Sequence, residues 1–329
     1  SSIVHAIINE AEINCYLGGN IGTPLFTKLA EFTEKDIIVL EMSSFQLMGM
    51  DVSPDISLVT NIYPDHLNVH ESYEEYQKAK KNIFLYQNHN NTVVLNYDNE
   101  ITKNFAKEAS GKVIYFSSKE KLKDGYIFDE SDGSIKYCEN GIRTTIIQKD
   151  QIKLRGIHNY ENICAALAVT ASLVDKQTQI RAIKEFSSVE HRLEMKKYGS
   201  INIIDDAYNS NPAGARAALN VLSSFDGTRI LITPGMIELG SKQYQCNFEM
   251  GQYASKKCDY IILVGEEQTK PIKDGIDKEG FDENRLFIVN SLNEAMAKSN
   301  EIGEYGKEKV ILLENDLPDN YWCTMLTAS

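Results

Sequence analysis

Asp36-Ile37-Ile38-Val39-Leu40-Glu41-Met42-Ser43-Ser44-Phe45-Gln46-Leu47 and Ile56-Ser57-Leu58-Val59-Thr60-Asn61-Ile62-Tyr63-Pro64-Asp65-His66-Leu67 are built alike. Each opens with a short apolar run, which reads as a strand buried on both faces of a parallel sheet. At the end of each run polar residues gather: Glu41 after the first, Asn61, Asp65 and His66 after the second. Ligands of open α/β sheets bind beyond the carboxyl ends of the strands, and a carboxylate there can hold Mg²⁺ beside a nucleotide. A solvated glutamate at a strand end is ordinary, and a lone histidine is more often structural than a ligand. Two such strand ends in one domain shift the balance toward a metal–nucleotide site.

Outward from these strands the pattern continues. Residues 3–12 read as a helix. Ser72 to Leu85, rich in Glu, Lys, Tyr and Ala, reads as another, with Ser72 as N-cap and Glu75 completing a capping box. Val93–Leu95 and Val113–Phe116 are further strands. Residues 121–154 alternate and carry the turns Asp124-Gly125, Asp132-Gly133 and Asn140-Gly141, which predicts a small antiparallel sheet. Asn159 to Val174 is an Ala-rich helix. After a break near 187–195 the alternation resumes, with strands at 201–204, 229–233, 260–264, 285–289 and 309–313 and helices at 213–222 and 243–256. Such alternation implies parallel sheets with helices on both faces. The expected organisation is an α/β domain over 1–187 and a second, smaller α/β domain over 188–329.

The chain has 329 residues, 42% hydrophobic and 25% charged, with a formal charge of −13. A nucleic-acid polyanion would be repelled by that average field, whereas a nucleotide can bind where local amides, cations and a metal override it. No run of 18 apolar residues offers a membrane span. The six cysteines are scattered without a C-x-x-C pair, so neither a zinc site nor a disulfide framework is signalled. Reduced thiols in the cytoplasm are the simplest reading.

Two more stretches bear on chemistry. Gly18-Gly19-Asn20-Ile21-Gly22-Thr23-Pro24 is a glycine-rich turn before a helix, a place where backbone amides can approach phosphate, although glycine and proline mark turns generally. Tyr76-Gln77-Lys78-Ala79-Lys80-Lys81 is a basic stretch in an acidic protein; taken alone it is a solvated face.

Taken in order, GGNIGTPL (18–25), VLEMSSFQL (39–47), TNIYPDHLNVH (60–70), YQKAKKNIF (76–84), GIHNYEN (156–162), EHRLE (190–194) and DDAYNSNP (205–212) resemble the Mur ligases across nearly the whole chain. The resemblance implies a P-loop-NTPase-like central domain with a parallel sheet plus a small antiparallel sheet, followed by a Rossmann-like C-terminal domain. It implies an ATP- and Mg²⁺-dependent ligase that adds an amino acid or dipeptide to a UDP-N-acetylmuramoyl-peptide through an acyl phosphate. By the same resemblance Glu41 and His66 help to bind Mg²⁺, and Lys80 is carbamylated, which turns a cation into a carboxylate-like ligand. Asn20 and Ser43 fall in the muramoyl-substrate stretches. His158, Asn159 and Asn162 match the adenine-binding HNxxN motif. Arg192 and Asp206 match ATP contacts from the C-terminal domain, and Asn211 lies on the substrate side of that domain.

The central motifs are similar to those of D-glutamate-adding members. Asp205–Pro212 and Met236–Gly240 look more like D-alanyl-D-alanine-adding members; D-glutamate is the expected donor, from the central motifs, and D-alanyl-D-alanine or another amino donor is the alternative. A non-catalytic, binding or regulatory relative is a further alternative. The family's G-x-x-G-K-[ST] phosphate loop, expected about twenty residues before GGNIG, is not found here, nor is its uridine-binding domain. The resulting expectation is that these 329 residues alone bind ATP poorly and are inactive. A monomer is favoured, with neither nucleic acid nor membrane as partner.

Overall fold

The computed structural model describes residues 1–21, 25–63, 70, 72–189, 191–207, 211–237, 239–303 and 308–315. The chain divides into two compact units, one built from residues 1–63 and 70–187 and the other from residue 188 onward.

The first unit runs α1 (Ser2–Glu10), β1 (Cys15–Gly19), a 3₁₀ turn at Leu25–Glu31, β2 (Ile37–Glu41), α2 (Ser44–Met48), β3 (Ile56–Val59), α3 (Tyr73–Leu85), β4 (Thr92–Asn96), α4 (Glu100–Phe105), β5 (Lys112–Ser117), β6 (Gly125–Asp129), β7 (Ser134–Glu139), β8 (Ile142–Gln148), α5 (Ile157–Thr170) and α6 (Lys176–Glu185). Strands β1 and β2 pair in parallel as a two-stranded ribbon. Strands β3 to β8 form one sheet in sequential order. In β4, Val93 and Leu95 pack with Phe84 of α3 and Phe105 of α4, while Val94 packs on the opposite face with Ile7 and Ile8 of α1 and Ile163 and Leu167 of α5. Consecutive side chains of a strand point to opposite faces, so covering both faces requires the unbroken apolar run seen in the sequence.

The antiparallel strands expected over 121–154 are present, but they extend the main sheet instead of standing apart. Strand β6 joins β5 in parallel at Phe116–Tyr126 and Ser117–Ile127, and only then does the chain turn back into β7 and β8. The glycine-rich stretch also differs from a plain turn. Gly18 and Gly19 end β1, and Gly19 has φ +98°, with its α-carbon so close to β2 that a side chain would collide with the Glu41 carbonyl. At α3, Ser72 Oγ accepts from Glu75 N, but the reciprocal half of the capping box is not formed.

The second unit runs β9 (Glu194–Tyr198), β10 (Ile201–Asp206), α7 (Pro212–Ser223), β11 (Thr228–Thr233), α8 (Gln243–Ala254), β12 (Tyr260–Val264), α9 (Glu266–Lys278), β13 (Leu286–Val289), α10 (Leu292–Glu301) and β14 (Lys309–Glu314). Its sheet order is β13-β12-β11-β14-β10-β9, parallel except for β9 against β10. Helices α7, α8 and α9 pack on one face through Leu219, Met250 and Ile272. Helix α10 packs on the other through Leu292 and Ala295. The chain steps from β10 to β11 and later returns to lay β14 between them, so Asp206, Thr233 and Glu314 end neighbouring strands.

Candidate functional site

In the first unit the carboxyl ends of β1 and β2 lie side by side, with Gly19 opposite Glu41. The backbone N–H of Asn20, just past β1, donates to the Glu41 carbonyl at 2.7 Å, and a Glu41 carboxylate oxygen accepts from Ser1 Oγ at 3.1 Å. Three residues past Glu41, α2 begins under a full capping box: Ser43 Oγ accepts from Gln46 N at 3.2 Å, and Ser43 N donates to Gln46 Oε1 at 2.8 Å. The Ser-x-x-Gln spacing is the sequence signature of this motif, and it gives Ser43 a structural task besides any contact with substrate.

Helix α2 is fastened to α3, where Asn82 Nδ2 donates to the Leu47 carbonyl at 2.9 Å. Lys80, on the same helix, holds its Nζ 5.6 Å from the centre of the Tyr76 ring. The stretch that follows Glu41 is thereby brought against the helix that carries Lys80. His66 lies outside the described residues. A neighbour that no sequence pattern had singled out strengthens the link. His70 is buried, with Nε2 2.8 Å from Ser44 Oγ, its ring stacked on Phe45 at 5.1 Å and edge-on to Tyr76 at 5.3 Å.

His158, Asn159 and Asn162 all occupy the first turns of α5, which opens after Gly156 at φ +99° with no side-chain cap. Asn159 Nδ2 donates back to the Arg155 carbonyl at 2.7 Å, and Asn162 is exposed. His158 is half-buried as a residue, but its Nε2 is sealed from solvent without a hydrogen-bond partner. Burial lowers its pKa to about 4, so the ring is neutral at physiological pH.

The second unit gathers charge at the ends of β9 and β10. Asp205 is fully buried; its Oδ2 lies 2.8 Å from His191 Nδ1 and 2.9 Å from Lys196 Nζ, which also reaches Glu194 at 3.1 Å. His191, Glu194 and Asp205 offer ligand atoms within 4.8 Å of one another, but the Lys196 ammonium already pairs with both carboxylates, so the cluster reads as an ion-pair network. Next to it, Asp206 accepts from Leu193 N at 3.1 Å. Burial raises its pKa to about 6, against the partly compensating backbone N–H of Leu193 and charge of Arg192. Asn211 caps α7, accepting from Ala213 N at 3.1 Å and Gly214 N at 2.9 Å. Asn20, Glu41, Ser43, Lys80, His158, Asn159 and Asn162 thus belong to the first unit, and Arg192, Asp206 and Asn211 to the second.

Both units are parallel α/β layers with polar groups at the carboxyl ends of their strands, the edge beyond which open α/β sheets bind their ligands. Residues 3–170 match the Mur ligase middle domain, and residues 191–313 match the Mur ligase, glutamate ligase domain. The chain belongs to the Mur ligase family. It is 36% identical over 313 residues to the UDP-N-acetylmuramoylalanine--D-glutamate ligase of Clostridium acetobutylicum, an alignment covering 93% of this chain and 64% of that protein. The enzyme of the same name from Ruminiclostridium cellulolyticum is 39% identical over 267 residues, covering 80% of this chain and 55% of that protein. The chain therefore spans less than two thirds of the length of these relatives. Among solved structures, MurF from Acinetobacter baumannii superposes with a TM-score of 0.77 at 17% identity, covering 98% of this chain and 72% of that one. MurF ligase from Thermotoga maritima in complex with ADP gives 0.70 at 18% identity, covering 95% and 72%.

Proposed function

We propose that the chain supplies the ATP-handling domain, residues 1–187, and the amino-donor domain, residues 188–329, of a ligase that adds an amino acid to a UDP-N-acetylmuramoyl-peptide. D-Glutamate is the favoured donor, because the central motifs match D-glutamate-adding ligases and because the relatives from Clostridium and Ruminiclostridium carry that name. The single observation that carries the reading is the shared strand edge, where Asn20 binds back to Glu41 and α2 is fastened to the Lys80-bearing α3.

The donor chemistry suits the cofactors. Mg²⁺ takes hard oxygen ligands, and the Glu41 carboxylate supplies them; Lys80 fits once carbamylated, when its ammonium is replaced by a carbamate oxygen. Bound there, Mg²⁺ would neutralise phosphate charge. The first amides of α5, uncapped by any side chain, suit a nucleotide acceptor, with Asn159 and Asn162 beside them. A carboxylate is a poor acylating group, because its oxygen leaves badly. Transfer of the ATP γ-phosphoryl group to it gives an acyl phosphate; the amine then attacks the carbonyl carbon, and phosphate leaves. The protein's part is positioning and charge neutralisation: Asn20 and the Ser43 turn orient the muramoyl substrate, and Arg192 and Asp206 contact ATP.

The test is phosphate release by the 329 residues, assayed alone and behind the phosphate-loop segment of a relative. UDP-N-acetylmuramoyl-L-alanine plus D-glutamate is set against the UDP-N-acetylmuramoyl-tripeptide plus D-alanyl-D-alanine. Turnover with D-glutamate is expected behind the phosphate-loop segment, and little or none by the 329 residues alone. Turnover with the dipeptide alone would support the second reading, which the Asp205–Pro212 and Met236–Gly240 stretches favour. Release with neither pair in both formats would leave a binding or regulatory role.

A further inference from the structure

Glu161 sits between the two asparagines of the α5 turn, yet its carboxylate turns away from them, into the sheet edge. It is largely buried. Oε1 accepts from Asn96 Nδ2 at 2.9 Å and from Asn61 Nδ2 at 3.4 Å, and Oε2 accepts from Ser118 Oγ at 2.8 Å. Asn96 Nδ2 also donates to Asn61 Oδ1 at 3.1 Å. The partners come from the ends of β3, β4 and β5, three adjacent parallel strands. Asp98 closes the network by accepting from Ser118 N at 2.7 Å.

An asparagine amide has two donor hydrogens and two acceptor sites, whereas an ionised glutamate only accepts. Asn61 must therefore turn Nδ2 toward Glu161 and Oδ1 toward Asn96. Flipping the amide would set its carbonyl against a carboxylate and strand both groups, a costly arrangement in a partly buried network. One N–H and one lone pair of Asn61 remain unused by these bonds, at the start of the segment that leads to His66.

We propose that Glu161 is a positioning residue that fixes the direction of the Asn61 amide, so that its remaining N–H meets a phosphate oxygen of the bound nucleotide. The positioning stands on the contacts alone; the identity of the ligand rests on the function proposed above. Burial raises the Glu161 pKa, and the Asp98 charge adds to this. Hydrogen bonds from Ser118 and Asn61 and the Lys119 charge pull it back, and the buried Cys164 thiol faces it from the same helix.

The experiment follows the side-chain amide signals of Asn61 by NMR in the ¹⁵N-asparagine-labelled 329-residue chain, assigned with Asn61→Asp. In the wild type these signals should move with pH through an inflection above the ordinary glutamate range. In Glu161→Gln, whose Oε1 still accepts and whose Nε2 can face Ser118 Oγ, the inflection should vanish while the signals stay close to their wild-type positions. In Glu161→Ala they should move to the positions of an unrestrained asparagine. An inflection that persists in Glu161→Gln, or Asn61 signals unmoved in Glu161→Ala, would overturn the positioning role. If Glu161→Ala fails to fold, the Glu161→Gln titration decides alone. In parallel, Mg·ATP affinity should weaken about tenfold in Glu161→Ala and hold within about twofold in Glu161→Gln. A wild-type chain that binds no nucleotide in either assay format would overturn the phosphate contact and the function it rests on, while leaving the NMR result to judge the positioning.

Discussion

The two units present the same kind of edge, the carboxyl ends of parallel strands, but tune it in opposite directions. In the first, neutral groups dominate: amides and hydroxyls surround Glu161, and His158 is held neutral with its pKa lowered to about 4. In the second, charges are paired directly. Asp205 is bound by Lys196 and His191, and Asp206 beside them is pushed up to about 6. An edge of amides can receive a charged ligand without first breaking ion pairs. An edge of ion pairs holds its geometry and offers fewer free groups. Under the function proposed above, the first unit would receive the ligand, and the Asp205 cluster of the second would serve as scaffold.

Four perturbations sharpen or break that contrast, the largest first. Lys196→Ala leaves the buried Asp205 carboxylate with His191 as its remaining ionisable partner, and losing one member of a buried pair should cost about 4 kcal/mol at pH 7. Urea unfolding would measure it, and a loss below about 1 kcal/mol would mean that the cluster scaffolds nothing. His158 comes next. Its folded pKa lies below its unfolded value of 6.5, so the unfolded chain binds the proton better and stability falls as pH drops from 6.5 toward 4. The full swing is about 3 kcal/mol, and His158→Leu should flatten it.

Asp206 gives the opposite sign. Its folded pKa of about 6 exceeds the ordinary 3.8, so its contribution is complete below 3.8 and is lost as pH rises through 6. Asp206→Asn should remove a decline of about 3 kcal/mol between pH 4 and 7. Unfolding curves of both variants against wild type across this range test the two signs together; equal signs would erase the contrast. The smallest effect is shared. Asn211 caps α7 and Asn99 caps α4, each accepting two backbone N–H bonds, so either residue changed to Ala should lose about 1 kcal/mol by thermal unfolding.

Much of this was legible in the sequence where the physics is local. The apolar runs at 36–40, 56–60 and 260–264 became β2, β3 and β12; in β12 the unbroken run is buried on both faces as expected, whereas in β2 Ile38 and Leu40 are exposed, so that strand is covered on one face only. What escaped was set by contacts distant along the chain. Gly18 and Gly19 read as a turn, but pairing with β2 draws them into β1. The 121–154 strands read as a separate sheet, but two residues of parallel pairing bind them to β5. Helix α6, mostly polar and starting at an Asp175 cap, was missed although the cap itself is a readable signal. The Ser43–Gln46 box was equally readable. Of the candidate site residues of the first unit, Asn20 and Glu41 fall at strand ends and Ser43, His158, Asn159 and Asn162 in the first turns of helices, whereas Lys80 lies in the middle of α3, where pattern alone reads a solvated face and the family resemblance was needed. Glu161 and His70 could not be found this way, since their partners lie up to 100 residues away and come together only in the folded sheet.

The central claim is that Glu41 and Lys80 jointly hold the metal that a bound nucleotide needs. The most direct test is the rate of phosphate release with the muramoyl substrate, Mg·ATP and amino donor, measured for Lys80→Ala against the wild-type chain, both behind a relative's phosphate-loop segment. A fall of about a hundredfold or more, with circular dichroism unchanged, is the predicted result. A rate within about threefold of wild type would contradict the account.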